Sequence, residues 1–219
     1  VAGGDGGALG VPDRRVEYQV GVAEVAGDGG AENATKTFAQ ATTMAVKMAE
    51  RALNSGGNLS GVTTGLDSVN AKIGGMHHSD LMILAGRPGM GKTALALSYS
   101  IGAARKGHGT LFVSLEMRKR ELAQRMASDL CYDGHEIPYA QIRDGRLDGD
   151  QRRKVEQARD LMRSLPFGVI DAGSLTIGRL AAMIRRTKRR MAAQGSSLDL
   201  VVVDYLQLLR ANETRGKSQ

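Results

Sequence analysis

From Leu81 onward, apolar and polar positions alternate between two textures. "LMILAG", "TLFVSLE", "FGVIDA" and "LDLVVVDYLQLL" are short, nearly continuous apolar runs, and the stretches between them place apolar residues at helical intervals. Short continuous runs predict strands buried on both faces, and the spaced stretches predict amphipathic helices. One helix follows the glycine-rich loop after "LMILAG" and ends near Gly107. Two more are predicted at about 118–131 and 148–165, the second with Val155, Ala158, Met162 and Leu165 on one face. In "LTIGRLAAMIRRTKRRMAAQ" the inward positions are Ile177, Leu180, Ile184 and Met191. Strands separated by helices in this order predict an α/β fold, a parallel sheet covered by helices on both faces.

The amino-terminal part reads differently. Residues 1–35 are rich in Gly and poor in large apolar side chains, so they cannot bury enough surface to offset ordering and are expected to be linker or tail. Within 36–57, Phe38, Thr42, Ala45, Ala49, Ala52 and Leu53 fall near helical spacing before Gly56 and Gly57, which predicts one amphipathic helix of modest apolarity. The main domain then spans 58–219.

The loop between the first strand of that domain and its helix, "ILAGRPGMGKTALAL", contains three glycines and a proline followed at once by Lys92 and Thr93. Gly86, Gly91, Lys92 and Thr93 fit G-x-x-x-x-G-K-[ST] between a strand and a helix, the context in which that pattern cradles phosphate. Glycines let the backbone N–H groups of Gly86, Arg87, Pro88, Gly89, Met90 and Gly91, proline excepted, approach a pyrophosphate closely, and the helix start directs its positive end at it. Lys92 would reach the β and γ phosphates, and the Thr93 hydroxyl would ligate Mg²⁺. Asp204 ends "LVVVD" and would emerge at the carboxyl edge of the sheet, which makes it the candidate second Mg²⁺ residue. Glu116 ends "LFVSLE" in the same way; an acid capping the next helix is the alternative reading there.

"SGVTTGLDSVNAKIGGMHHSDLMILAGRPGMGKTALAL", "FVSLEM", "QIRDGRLD" and "DLVVVDYLQLL", in this order over about 60–210, resemble the DnaB-type replicative DNA helicases within the RecA-like ATPases. The resemblance implies a RecA-like P-loop core in which the Gly86–Thr93 loop binds Mg-ATP, Glu116 is the catalytic carboxylate beside Lys92, and Thr93 and Asp204 hold Mg²⁺. It also implies that helix 36–54 is a linker docking on the next subunit of a homo-hexameric ring that moves on single-stranded DNA in replication, with primase and a helicase loader as further partners. In that family a sensor strand, DNA-gripping loops and a basic finger follow the Asp-bearing strand, so the domain is expected to be carboxyl-terminally truncated. The sensor strand normally lies between the phosphate-loop strand and the Asp-bearing strand. "LMILAG" and "LVVVDYL" are therefore expected to flank an open slot with two unpaired apolar edges, or to collapse together and displace Asp204. The truncation keeps two other readings open: a non-catalytic nucleotide-binding or assembly fragment, and another RecA-like recombination or repair ATPase.

Composition narrows the partners. A formal charge of +7 over 219 residues suits an anionic partner without specifying one. Arg179, Arg185, Arg186, Lys188, Arg189 and Arg190 lie on one predicted helix and could meet a phosphate backbone, but on an amphipathic helix such a run is expected to be a solvated face. With no Trp and few other aromatic residues there is no clear stacking platform for single strands. The single Cys131 excludes an intrachain disulfide, and His77, His78, His108 and His135 form no zinc-ligand spacing. The absence of a long apolar run or a signal-like start predicts a cytoplasmic protein with no membrane partner.

Overall fold

The computed structural model describes residues 19–25, 37–54, 59–78, 80–132 and 136–210, with the backbone alone for 19–25. Helix α1 (Phe38–Asn54) opens on a reciprocal cap. Thr37 Oγ1 accepts from the Gln40 amide, and Gln40 Oε1 accepts from the Thr37 amide. Phe38, Val46 and Leu53 on this helix are exposed. The short α2 (Asp67–Ile73) was not anticipated from the apolar pattern, because it is organised by polar groups. Buried Asn70 accepts from the amide and hydroxyl of Thr64 and donates to Thr63 Oγ1.

The main sheet holds β1 (Gln19–Val25), β2 (Leu81–Gly86), β3 (Thr110–Ser114), β4 (Phe167–Asp171) and β6 (Leu200–Asp204), with β5 (Leu175–Thr176) in a separate pair described below. Its order is β2-β1-β6-β3-β4. β3 is parallel to both β4 and β6. β1 is antiparallel to β2 and to β6, which leaves β2 running with the other three. Here the structure corrects the expectation of an open slot. Seven residues from the segment expected to be linker fill it, pairing Gln19–Glu24 with Gly86–Leu81 on one side and Val22–Val25 with Val203–Leu200 on the other. The two apolar strands keep their separation, and neither edge faces an empty slot.

Helices α3 (Lys92–Arg105), α4 (Lys119–Leu130) and α6 (Gly149–Ser164) lie on one face of the sheet, and α7 (Ile177–Ala193) lies on the other. Alternate residues of the same strands serve the two layers. Phe112, Leu200 and Val202 pack with Leu97, Ile101, Leu122 and Met126, whereas Leu111, Val113, Val201 and Val203 pack with Leu180 and Met191. A satellite cluster of Cys131, Ile137 and Ala158, with Val155, joins α4 to α6. α5 (Tyr139–Asp144) sits beside α4, where the Arg125 guanidinium stacks over the Tyr139 ring at 4.5 Å.

Three local expectations change. Helix cover is two-sided over β3, β4 and β6 but not over β2, where Leu81 and Ile83 are 64% and 56% exposed. Ile177 faces solvent rather than the core, because the two residues before it form β5, paired with β7 (Leu209–Arg210), and α7 starts only at Ile177. Glu116 lies two residues past the end of β3 instead of on it.

Because β1 completes the hydrogen bonding of two apolar strands, removing residues 1–26 should lower the urea midpoint and produce concentration-dependent light scattering. An unchanged midpoint with monodisperse scattering would show that the sheet does not depend on it.

Candidate nucleotide-binding site

The loop between β2 and α3 turns because two of its glycines adopt backbone angles that side chains disfavour. Gly89 and Gly91 have φ of 77° and 81°, and a Cβ at either would meet nothing within 4 Å, so the space over the loop is open. Gly91 is also the N-cap of α3, which leaves the first amides of that helix directed into the same space. Lys92 Nζ donates to the carbonyls of Gly86 and Arg87, both at 3.0 Å, and this draws the amine across the mouth of the loop. A cleft of about 510 Å³ lined by Gly86, Arg87, Met90, Gly91 and Lys92 opens there.

Asp204, at the end of β6, is 4% exposed and accepts a 2.8 Å hydrogen bond from Thr93 Oγ1. It has not been displaced from the phosphate loop. Behind it Met82, Leu84, Val202 and Val203 line a small apolar space. Burial pushes the Asp204 carboxyl above the usual aspartate range, while the Thr93 hydroxyl and the Lys92 charge oppose that shift by favouring the carboxylate. The Asp204 carboxylate and the Thr93 hydroxyl are oxygen groups of the kind that ligate a small divalent cation.

Glu116 sits at the same carboxyl edge, two residues past the end of the next strand over. Ser114 is the register partner of Asp204, and the Leu115 amide donates to the Asp204 carbonyl at 2.7 Å. Glu116 follows directly, exposed in a cleft of about 370 Å³ with Ser114, Arg118 and Asp171. Two contacts hold its loop: Ser114 Oγ accepts from the Met117 amide, and Asp171 Oδ2 accepts from the Lys119 amide at the start of α4. Lys92, Thr93 and Asp204 are thus brought together, whereas Glu116 lines a separate cleft at the same sheet edge with Asp171 and Gly173. Asp171 was missed in the sequence, although it ends the strand "FGVID" as Asp204 ends "LVVVD", and the same end-of-strand signal would have found it.

The family model for the DnaB-like helicase C terminal domain matches residues 61–219. The chain belongs to the DnaB-like helicase C-terminal domain family. Among curated relatives, the replicative DNA helicase DnaB of Leifsonia xyli subsp. xyli is 31% identical over 179 residues, covering 81% of this chain and 36% of that protein. The corresponding helicase of Rickettsia prowazekii is 34% identical over 173 residues, covering 73% of this chain and 33% of that protein. The chain therefore spans about a third of the length of these relatives. In fold it is similar to a solved ATPase domain, with a TM-score of 0.62 at 22% identity, covering 80% of this chain and 60% of that one. It is also similar to a DnaB-like replicative helicase described with its interactions with primase, at a TM-score of 0.60 and 22% identity over 79% of this chain and 40% of that one. The α/β, RecA-like architecture expected from the sequence is the one these solved structures share.

The raised pKa of Asp204 has a sign that can be measured. Its folded value lies above its unfolded value, so between the two the native state binds more protons and stability falls as pH rises. In metal-free buffer Asp204→Asn should keep the Thr93 contact, raise the urea midpoint at neutral pH and flatten the decline that begins just above pH 3.8. An Asn variant less stable than the parent at neutral pH would show that the carboxylate is not penalised by burial.

Proposed function

We propose that this DnaB-like domain binds Mg-ATP on the Gly86–Thr93 loop and hydrolyses it, and that the longer protein it represents uses this cycle to move on single-stranded DNA as a homo-hexameric ring in replication. The observation that carries the reading is the Thr93–Asp204 hydrogen bond beside an open glycine loop, because it joins a phosphate cradle to a buried acid. Gly86, Arg87, Gly89, Met90 and Gly91 supply backbone groups around the phosphates, with Pro88 shaping the turn. Lys92 places one positive charge there. Thr93 and Asp204 would hold Mg²⁺, which would supply charge neutralisation for the phosphates.

Glu116 is the proposed general base. It is exposed in a cleft at the strand edge, and its loop is fixed by Ser114 and Asp171, so its carboxylate can accept a proton from an attacking water. The resemblance to replicative helicases supports single-stranded DNA as the track, primase and a helicase loader as partners, and a cytoplasmic setting. Among the described residues no helix is long and apolar enough to cross a membrane.

Lys92→Ala should weaken Mg-ATP binding by about tenfold or more, the scale of one lost charge-assisted contact, while the urea midpoint holds. Isothermal titration with unchanged affinity would reject the loop assignment. Glu116→Gln should bind Mg-ATP as the parent does and lose about 10²–10⁴-fold in turnover. If the parent chain itself binds Mg-ATP without turning it over, with or without single-stranded DNA, the chain is a nucleotide-binding fragment rather than a motor domain.

A further inference from the structure

We infer that the outer face of α7 is a docking surface for the phosphate backbone of duplex DNA, separate from the nucleotide site. α7 contains Arg179, Arg185, Arg186, Lys188, Arg189 and Arg190 and not one Asp or Glu, so six of its seventeen residues are cationic with no acid on the same helix. The chain's whole formal excess is +7.

Helix α6 shows what a merely solvated charged helix of this protein looks like. There Arg152 pairs with Glu156, Arg153 with Asp150, and Arg159 and Arg163 with Asp160. Among the described residues, no acidic group pairs with Arg185, Arg186 or Arg189. With Thr187 and Met191 buried beneath them, these three exposed arginines fall within an arc of about 100° on the side of the helix away from the sheet. Ala182 and Ala193 share that arc, so no bulky neighbour keeps a phosphate backbone at a distance.

The chemistry favours a duplex backbone over a single strand or a lipid surface. Five of the six cations are Arg, whose planar fork suits phosphate. From Arg179 to Arg190 the helix rises about 16 Å. That is a rigid row comparable to roughly five phosphate steps along one strand of a duplex. α7 has no aromatic residue on which unstacked bases could lie, which disfavours a single strand. Its apolar face is committed to the core, and the large apolar side chain it exposes, Ile177, is at its first residue, so it cannot insert into lipid. The surface also points away from the ATP edge: the Arg190 guanidinium lies 3.8 Å from the Cβ position of Gly168, at the amino end of β4, whereas Asp204 and Thr93 lie at the carboxyl edge. The inference rests on the proposed function only in selecting DNA as the polyanion.

The test is fluorescence anisotropy of a labelled 20-base-pair duplex, titrated with the full chain across a salt series. A single strand of equal length and unlabelled polyglutamate serve as alternative ligands. Each duplex phosphate neutralised steepens the log–log salt slope by about 0.9. The triple variant Arg185→Ala/Arg186→Ala/Arg189→Ala should therefore lose about 2.7 units of slope and at least tenfold in duplex affinity at low salt. It should bind Mg-ATP like the parent, and Lys92→Ala should bind duplex like the parent, so failure of the nucleotide reading and failure of this one are distinguishable. Should circular dichroism show the triple variant unfolded, Arg186→Gln and Arg189→Gln serve singly, each lowering the slope by about one unit. An unchanged slope overturns the inference. So does a larger effect on the single strand than on the duplex, or polyglutamate competing as well as unlabelled duplex at equal charge.

Discussion

The hydrogen bond from Thr93 to Asp204 joins groups 111 residues apart, and the arrangement of the whole sheet serves to bring them together. Thr93 is placed by the phosphate loop after β2, Asp204 by the end of β6, and these strands are not neighbours. Their separation must be held at two strand spacings for the hydroxyl to meet the carboxylate. β1 holds it, with main-chain pairing to both. An unpaired pair of apolar edges would be free to close on each other, and closure would move Asp204 relative to Lys92 and Thr93.

Burial of Asp204 is the cost of this placement. The same strand that brings the carboxylate to the edge surrounds it with Val202 and Val203, and β2 adds Met82 and Leu84. Its charged form is therefore held by two groups, the Thr93 hydroxyl and the Lys92 ammonium, and both belong to the loop that would receive phosphate. Charge at the metal position and charge at the phosphate position are thus linked through the first turn of α3. Glu116 stands outside this link. It is exposed, and its position depends on Ser114 and Asp171 through the loop that starts α4.

The two faces of the sheet differ in the same physical terms. On the α3 side, α4, α5 and α6 build a second layer with its own small core, and the surface charges of α6 are paired along the helix. On the α7 side one helix covers β3, β4 and β6, leaves Leu81 and Ile83 of β2 exposed, and presents arginines that have no acidic partner among the described residues. The first face is electrostatically closed, and the second is open to a polyanion.

Much of this was legible in the sequence because it depends on local pattern. The runs "LMILAG", "TLFVS", "FGVID" and "LVVVD" are strands because they are short and nearly continuously apolar, and the glycine loop with Lys92 and Thr93 can be recognised since backbone approach to phosphate requires those residue types at that spacing. Asp204 was legible for the same reason, as an acid closing an apolar strand. The role of residues 19–25 was not. "QVGVAEV" is short and embedded in glycine, and it becomes a strand through two partners remote in sequence whose edges need pairing. Nor were α2, which rests on Asn70 and the threonines before it, or the outward turn of Ile177, which follows from β5 pairing with β7. For the four apolar strands and the amphipathic helices local composition was enough, because their pattern depends on neighbours along the chain, whereas β1 needed the edges of β2 and β6. Which strand lies beside which, and so which acid meets which hydroxyl, is settled by edges and faces that exist only once the sheet has formed.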